Sequence, residues 1–335
     1  MKHDAEMLSK AARLSVAPMM DWTDRHCRYF HRLMSREALL YTEMVTAPAL
    51  VRGGARHLLA FDGAEHPVAL QLGGSDPVEL AQAAVMGADE GYDEINLNVG
   101  CPSDRVQSGT FGAVLMRQPD LVADCVTAMI AAQPAPVTVK CRIGVDEQVA
   151  EEVLPDFLTK IRSAGVPRVT IHARKAWLEG LSPKENRDIP PLDYALVRQM
   201  KQAFPDLHIS INGGVVSLDE AAHHLADGLD GVMIGRAAYH SPFDILGDAD
   251  RRIFGSARTP LTAHEVAEAM VPYIEAHIAD GGRLHSVTRH MMGLFAGRPG
   301  ARLWRRILSE KGTGQGAGTD VLFEALSQVP KDIAA

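Results

Sequence analysis

The sequence predicts an α/β protein built as a (β/α)8 TIM barrel with a small C-terminal all-helical domain. Between residues 13 and 237, eight short apolar segments alternate with segments whose apolar residues have helical spacing. This count and chain length are typical of the barrel, whereas the alternative, a doubly wound open sheet, commonly has roughly five or six strands. After Phe254 the strand pattern stops and only helical patterns remain.

The predicted strands form a regular series along the chain. They span residues 13–19, 39–45, 67–73, 94–100, 137–143, 168–174, 208–214 and 231–237. Helix-like segments lie between them, and in one of these Ser217 is placed as the N-cap and Gly228 as the C-terminal stop.

Helical patterns separated by glycine and proline fill the chain after the barrel. They span residues 261–282, 284–297, 299–312 and 319–329. We place a domain boundary near residue 250, and assign residues 1–250 to the barrel and residues 251–335 to the helical domain. The glycine-rich stretch 312–318 is expected to be a flexible turn.

The composition is typical of a soluble globular protein. Apolar residues make up 46% and charged residues 23%, and no apolar run reaches the length of about eighteen residues that spans a bilayer. Asp4 and Glu6 lie where a signal peptide would have its apolar core, so we expect a cytoplasmic protein. The formal net charge of −8 argues against a nucleic-acid partner, although a local basic patch can override this average.

Metal ligands are weakly indicated, and we predict no metal site. The four cysteines contain no C-x-x-C pair, so neither a zinc site nor a disulfide framework is expected. The HEVAE stretch lacks the second histidine of a zinc protease, and adjacent histidines on a surface helix are more often solvated. The weak candidates are His26, His31, His223, His224, Glu265 and Glu268.

Polar or conformationally special residues stand at the carboxyl ends of the predicted strands. In a barrel these ends meet at one mouth, where catalytic groups gather, so the residues are candidates for one site. In chain order they are Pro18, Met19, Met20, Glu43, Met44, Gln71, Asn98, Cys101, Lys140, Arg142, His172, Asn212, Gly213, Gly214, Gly235 and Arg236.

The last two strand ends predict a phosphate site, because glycine N–H groups and the Arg236 guanidinium can bind phosphate oxygens. A tight turn is the alternative for the glycines. With the Gln71 amide, the Lys140 ammonium and the His172 imidazole, the set suits FMN across the mouth. Lys140 has two alternatives, a pair with Glu43 or a Schiff base as in an aldolase. No G-x-G-x-x-G follows a strand, so a nicotinamide would visit the flavin transiently.

Strand ends and loops together form a specific set of motifs. In order they are VAPMMDWTDRHCR, LYTEM, ALQLGGSDP, GYDEINLNVGCPSDRV, VTVKCRIG, IHARKAWLEGLSPKENR, SINGG and MIGRAAY. This set resembles the tRNA-dihydrouridine synthases, and within them the A-type bacterial subfamily. The resemblance extends from about residue 13 to the RPGARLWRR segment near residue 306.

The resemblance implies a flavoprotein that uses NADPH to reduce the C5–C6 double bond of uridines 20 and 20a in the tRNA D-loop, with no DNA, membrane or obligate protein partner. It implies that Cys101 donates the proton. Threonine is common in the family where this chain has Cys141, which would add a second thiol near the site. The implied FMN contacts are Pro18, Met19, Met20, Gln71, Lys140, His172, Asn212, Gly213, Gly214, Gly235 and Arg236, and the implied tRNA contacts are Asn98, Lys184, Arg187, Arg302 and Arg305.

Cys101 suits the role of an acid, because a cysteine thiol is mostly protonated at neutral pH. The alternative, a buried small apolar residue, fits poorly in a Gly-Cys-Pro-Ser loop after a strand. A cation beside the sulfur would favour the thiolate, which has no proton to give. We therefore expect Lys140 and Arg142 to be held by flavin or by carboxylates rather than by the sulfur.

Basic residues concentrate in two segments despite the acidic average. Residues 283–311 contain seven lysines and arginines against one acid, and Arg302, Arg305 and Arg306 lie on one helical face suited to a tRNA backbone. A solvated helix face is the alternative. The loop 172–188 adds four basic residues around Trp177, which could stack on a base or pack in the loop.

Two other functions remain open at this point. A small-molecule flavin dehydrogenase of the dihydroorotate type would share the barrel, Lys140 and the phosphate site, but should lack the basic helical domain. A tRNA-binding protein without catalysis would not need Gln71, Lys140 and Cys101 together.

Overall fold

A closed barrel of eight parallel strands, ordered β1 to β8, forms the centre of the protein in a computed structural model that describes residues 5–102 and 111–331. β8 pairs with β1 and closes the ring. Each strand overlaps its predicted segment, so the predicted barrel is confirmed. The strands are β1 Leu14–Val16, β2 Leu39–Thr46, β3 Val68–Gly73, β4 Glu94–Val99, β5 Val137–Arg142, β6 Arg168–His172, β7 His208–Asn212 and β8 Gly231–Ile234.

Helices connect successive strands and cover the barrel. The predicted caps of one helix are confirmed, because the Ser217 hydroxyl accepts from the N–H of Glu220 at 3.2 Å and Gly228 follows the helix with φ of +95°. The connecting α-helices are Arg25–Met34, Ala47–Val51, Pro77–Glu90, Pro119–Ala132, Ala150–Ser163, Tyr194–Ala203 and Leu218–Ala226, and the helix Arg236–His240 follows β8. Short 3-10 helices span Arg56–Leu59, Gly63–Glu65, Gly112–Arg117 and Glu185–Arg187.

The apolar core lies between the strands and the surrounding helices. Outward-facing residues such as Leu70, Ile95 and Val139 are fully buried there. Gly87 allows one helix to approach closely, since a Cβ at this position would lie 2.5 Å from Cδ2 of Leu70. Removing this apolar surface from water is the main favourable contribution to the stability of the barrel.

The interior of the barrel combines polar residues with a small apolar cluster that includes Leu39, Ala69 and Met233. Tyr41, Glu94 and Arg168 are buried near its amino end, and Glu94 forms an ion pair with Arg168. The helix Ala5–Ala11 closes this end, where the Arg168 guanidinium donates to the carbonyl of Leu8 at 3.3 Å. Buried charges are tolerated when they are paired, as Glu94 and Arg168 are, although Nε of Arg168 has no hydrogen-bond partner among the described residues.

The C-terminal region is helical, but two predicted segments differ in detail. Pro272 has no N–H for the helical ladder, so the segment 261–282 forms two helices instead of one. In the segment 284–297 only the first turn is α-helical, because a Cβ on Gly293 would lie 2.4 Å from the carbonyl oxygen of His240 and the chain packs there in tight turns. The helices are Pro242–Leu246, Ala249–Arg252, Ala263–Ala269, Val271–Ala279, Leu284–Thr288, Ala301–Glu310 and Thr319–Leu326.

No helix in the described parts of the chain has the length and apolar character needed to cross a membrane.

Asp24 joins the barrel to the C-terminal helices. One carboxylate oxygen caps the helix Arg25–Met34 by accepting from the N–H groups of His26 and Cys27, each at 3.0 Å. The other accepts from Arg289 at 2.6 Å and His290 at 3.0 Å. Burial alone raises the pKa of Asp24, but hydrogen bonds and charge from His290 and Arg289 outweigh it and hold the pKa well below the ordinary 3.8.

We expect Asp24→Asn to lower the free energy of unfolding by about 1–2 kcal/mol at pH 7, since it keeps the cap but loses the ionic contact with Arg289. Asp24→Ala should cost about 1 kcal/mol more because the cap is also removed. A carboxylate whose pKa is lower in the folded state than in the unfolded state stabilises the fold at pH values above its unfolded-state pKa. This stabilisation is lost as the pH falls toward its folded-state pKa.

Urea unfolding of wild type and Asp24→Asn between pH 7 and pH 3 measures both effects. The difference between the two proteins should be constant down to about pH 4 and shrink below it, because the ordinary pKa of Asp24 is 3.8. A difference that grows on acidification would contradict this role.

Candidate active site at the barrel mouth

Cys101 lies just after β4, in a loop that one side chain holds in place. The side-chain oxygen of Asn98 accepts from the N–H of Gly100 at 3.0 Å and from the N–H of Cys101 at 2.9 Å. The carbonyl of Cys101 accepts from Ala113 at 2.9 Å. Residues 103–110 of the Gly-Cys-Pro-Ser loop lie outside the described residues. The backbone of Cys101 is thus fixed on both sides, and its half-buried thiol is held at the mouth.

Arg142 bridges the loop of Cys101 to the long loop after β6. Its guanidinium donates to the carbonyls of Gly100 at 3.1 Å, Lys175 at 3.0 Å and Asn186 at 2.9 Å. Burial lowers the pKa of Arg142 to about 10, so it stays charged at neutral pH. Among the described residues, main-chain carbonyls and no carboxylate hold this cation. The expected contact of Arg142 with flavin stays a prediction.

Lys140 points into the mouth from β5. Its ammonium donates to the side-chain oxygen of Asn212 at 3.0 Å. Burial, followed by repulsion from Arg142, lowers the pKa of Lys140 to about 8, so the charged form still prevails at pH 7. Glu43, the carboxylate partner considered for this lysine, accepts instead from the N–H of Asp21 at 2.5 Å. The side-chain oxygen of Asn212, on β7, therefore orients the ammonium of Lys140 across the mouth.

His172 and the glycine pair after β7 are in close contact. Burial, and then the charges of Arg142 and Lys140, keep the pKa of His172 well below its ordinary value, so the imidazole is neutral at pH 7. Gly213 and Gly214 have φ of +108° and +77°, and a Cβ on Gly213 would lie 2.6 Å from Cδ2 of His172. Both the backbone conformation and the lack of space thus require glycine here.

The end of β8 contacts the long loop after β6. Arg236 begins the helix Arg236–His240, and its guanidinium lies 2.7 Å from the Asp188 carboxylate, with both groups partly exposed. Such an exposed pair contributes little stability and is easily exchanged for an anionic ligand. Arg236 is thus positioned at the rim with its charge available.

The loop after β1 forms another part of the rim. Pro18 and Met19 are half-buried and Met20 is 57% exposed. The N–H of Met19 donates to the Thr23 hydroxyl at 2.9 Å. A Cβ on Gly235 would be 3.5 Å from the Met19 sulfur, so the first and last strand ends adjoin.

Gln71 lies inside the barrel beside Asn98. Its side-chain oxygen accepts from the Asn98 amide at 2.8 Å, and its amide donates to Asn96 at 2.8 Å. Gln71 is 1% exposed and Asn98 is 8% exposed. Asn98 therefore faces the interior and the Cys101 loop rather than the outer surface.

Asn186 organises the long loop after β6, and sequence reasoning missed it. It is fully buried, donates to the carbonyls of Trp177 at 2.8 Å and Leu181 at 3.1 Å, and accepts from the N–H of Trp177 at 2.7 Å. Asparagine in a polar loop looks like a solvated residue, so no pattern in the sequence indicated its burial. Lys184 and Arg187, on either side of it, are exposed.

The basic helix Ala301–Glu310 has the predicted amphipathic character. Arg302 and Arg305 are exposed, whereas Trp304 and Leu308 are fully buried on the opposite side. The predicted exposure of the arginines is thus seen in the structure. In the described residues, no three His, Cys, Asp or Glu side chains are grouped as metal ligands would be.

Cys141 does not lie in the mouth. It is fully buried in the apolar layer outside β5, and burial raises the pKa of its thiol to about 12. The expectation of a second thiol near the site was wrong, because successive residues of a strand face opposite sides. Lys140 faces inward, so its neighbour faces the helices.

Among solved structures, an old yellow enzyme homologue from Zymomonas mobilis is similar with a TM-score of 0.53 and 13% identity, covering 76% of this chain and 91% of that chain. Morphinone reductase is similar with a TM-score of 0.50 and 13% identity, and the match covers 75% of this chain and 87% of the reductase chain. At this identity the likeness supports the barrel fold alone.

Sequence comparison identifies the family. The model of the family described as dihydrouridine synthase (Dus) matches residues 15–329. The tRNA-dihydrouridine(20/20a) synthase of Vibrio parahaemolyticus is 57% identical over 97% of this chain and 99% of its own. The protein of the same name from Escherichia coli K12 is 58% identical over 95% of this chain and 92% of its own. The chain belongs to the dihydrouridine synthase family.

Proposed function

We propose that this protein reduces uridines 20 and 20a of the tRNA D-loop to 5,6-dihydrouridine, with FMN as bound cofactor and NADPH as reductant. The observation that carries the proposal is the near full-length similarity to relatives named tRNA-dihydrouridine(20/20a) synthase. A tRNA substrate also implies work in the cytoplasm. The small-molecule and non-catalytic alternatives have no comparable support.

The residues at the mouth fit an FMN. Gly213 and Gly214 have positive φ and no side chain, so their backbone N–H groups are not shielded by a Cβ from a phosphate. Arg236 adds a guanidinium whose present partner is an exposed carboxylate. We therefore assign the phosphate to Gly213, Gly214, Gly235 and Arg236.

The ring of the flavin would lie nearer the centre of the mouth. The Lys140 ammonium, oriented by Asn212, would stabilise negative charge on the reduced ring, and the Gln71 amide would contact its pyrimidine edge. We assign Pro18, Met19 and Met20 on the rim and His172 to the same cofactor. When bound, FMN supplies the hydride for C6 of the uracil ring.

Cys101 is proposed to give the proton to C5. Arg142, the cation that holds this loop, donates to three main-chain carbonyls, and these bonds set the position of its guanidinium. Asn98 and Ala113 fix the loop, which limits the orientations of the thiol. Asn98, although buried, would also meet a uracil that has left its stack and entered the mouth.

The tRNA would be bound by the two exposed basic segments. We assign residues 1–250 to catalysis and residues 251–335 to tRNA binding, with Arg302 and Arg305 contacting the phosphate backbone. Lys184 and Arg187 on the loop after β6 would hold the strand that flanks the target base. These contacts explain how an acidic protein binds a polyanion.

Mass spectrometry of unmodified tRNA incubated with the purified protein and NADPH tests the activity. We expect the protein to be purified with bound flavin and each target uridine to gain two hydrogens. When the tRNA carries cytidine instead of uridine at position 20 or 20a, dihydrouridine should be absent at that position and still form at the other. Turnover of free uracil or orotate, with no change in tRNA, would refute the proposal.

Cys101→Ala should reduce the rate of uridine reduction by about 100-fold or more, because general acid catalysis typically contributes this much. Reduction of the bound flavin by NADPH should stay normal, since that half-reaction needs no proton from Cys101. Cys125→Ala is the matched control, because it removes a buried thiol outside the barrel. Rapid mixing of the reduced enzyme with tRNA measures the effect; a wild-type rate would exclude the acid role.

Arg302→Gln with Arg305→Gln should weaken tRNA binding and lower the slope of log K against log salt by about two, one for each phosphate that is no longer neutralised. The double variant Arg162→Gln with Arg198→Gln removes the same charge from helices of the barrel and should bind like wild type. Titrations at four salt concentrations compare them. Equal slopes for both double variants would remove the helix Ala301–Glu310 from the interface.

A further inference from the structure

A continuous series of hydrogen-bonded side chains crosses the interior of the barrel from the buried ion pair to Cys101. Its six members are Glu94, Thr138, Asn96, Gln71, Asn98 and the N–H of Cys101. The Thr138 hydroxyl donates to Glu94. The next three contacts, Asn96 to Thr138, Gln71 to Asn96 and Asn98 to Gln71, are each 2.8 Å long. The last, from Cys101 to Asn98, is 2.9 Å.

Glu94 fixes the donor-to-acceptor direction of every hydrogen bond in this series, which we call the relay. Glu94 is fully buried and paired with Arg168, and a carboxylate can only accept hydrogen bonds. Tyr41 donates to the same oxygen at 2.8 Å. The single hydroxyl proton of Thr138 is therefore used toward Glu94, so Thr138 can only accept from the next residue.

The orientation of each side-chain amide then determines the orientation of the next one in the relay. Asn96 must turn its NH2 toward Thr138, which leaves its oxygen for Gln71. Gln71 must turn its NH2 toward Asn96, which leaves its oxygen for Asn98. Asn98 consequently presents its oxygen to two N–H groups of the loop, those of Gly100 and Cys101. If Asn98 were reversed, its NH2 would face the two N–H groups of the loop and its oxygen would face the oxygen of Gln71.

We propose that Glu94, Thr138 and Asn96 are positioning residues that fix the orientation of the Gln71 and Asn98 amides and thereby hold the loop of Cys101. The inference rests on the proposed function for the role of Cys101, but the orientation itself is a property of this chain alone. Glu94 and Thr138 do not contact the loop and act on it through three intervening amides.

The cost of the arrangement supports a role beyond stability. All four polar members between the ion pair and the loop are at most 8% exposed, and burying polar groups costs free energy unless each is hydrogen-bonded. Every member of the series therefore needs its hydrogen bonds, whereas the apolar residues that pack outside the same strands need none. The polar interior gives orientation, which an apolar interior would not supply.

Thr138→Val tests the relay, because valine keeps the shape but removes the hydroxyl that orients Asn96. Thr170→Val on β6 is the matched control, since Thr170 is equally buried in the barrel and is not a member of the relay. Thr138→Ser keeps a hydroxyl and should restore the wild-type behaviour. The stability of each variant is measured by urea unfolding.

Amide hydrogen exchange of the peptide containing Gly100 and Cys101 is the primary measurement, because it needs neither flavin nor activity. We expect exchange at least five-fold faster in Thr138→Val than in Thr170→Val, and wild-type exchange in Thr138→Ser. The tRNA half-reaction should slow about ten-fold in Thr138→Val with an unchanged KM for tRNA. Mass-resolved alkylation of Cys101 by iodoacetamide should change by several-fold in the same variant.

Equal exchange and equal alkylation in the two valine variants would overturn the relay. Failure of the proposed function looks different, because the wild-type protein would then leave tRNA unchanged while the difference in amide exchange persisted. Failure of the acid role alone would leave Cys101→Ala active, again with the exchange difference. Faster exchange over the whole barrel in Thr138→Val, with a matching loss of stability, would also count against the proposal, since it would mean general loosening rather than a change of orientation.

Discussion

The site depends on the register of the parallel strands, which brings inward-facing residues of neighbouring strands side by side. Asn98 on β4 is paired with Lys140 on β5, Arg142 on β5 with His172 on β6, and His172 with Asn212 on β7. Side chains alternate between the two faces of each strand, so the polar residues of these pairs all point inward. Four strands thus contribute one cluster of cations and amides without any loop having to reach across the mouth.

Charge in this cluster is controlled by what each cation contacts. Arg142 is held by carbonyls and Lys140 by an amide oxygen, and within the described residues no carboxylate pairs with either cation at the mouth. Burial, and then the combined field of these two cations, lower the pKa of His172 and keep it neutral. A site of this kind attracts an anion and disfavours further protonation, which suits a cofactor with a phosphate and a ring that gains negative charge on reduction.

Sequence patterns predicted the barrel and most of the mouth, since strand periodicity and polar strand ends are local signals. They could not predict Asn186 or Asn96, because burial of a polar residue depends on partners that are distant in sequence. The expected position of Cys141 near the site was wrong, because a residue next to Lys140 along β5 faces the opposite side of the strand. The turns after Leu284–Thr288 were missed for a third reason, since close packing of Gly293 against the helix Arg236–His240 leaves no mark in helical spacing.

A short series of side-chain contacts joins the mouth to the C-terminal region at His290. Trp22, in the loop after β1, stacks on Tyr239 with ring centroids 4.5 Å apart, and the Tyr239 hydroxyl lies 3.2 Å from His290. His290 in turn contacts Asp24, two residues after Trp22. The loop that forms part of the rim is therefore packed against the C-terminal helices on one side. If tRNA binds to the C-terminal helices as we propose, it contacts the region that packs against the rim of the mouth, so binding energy gained there can contribute to positioning the target base.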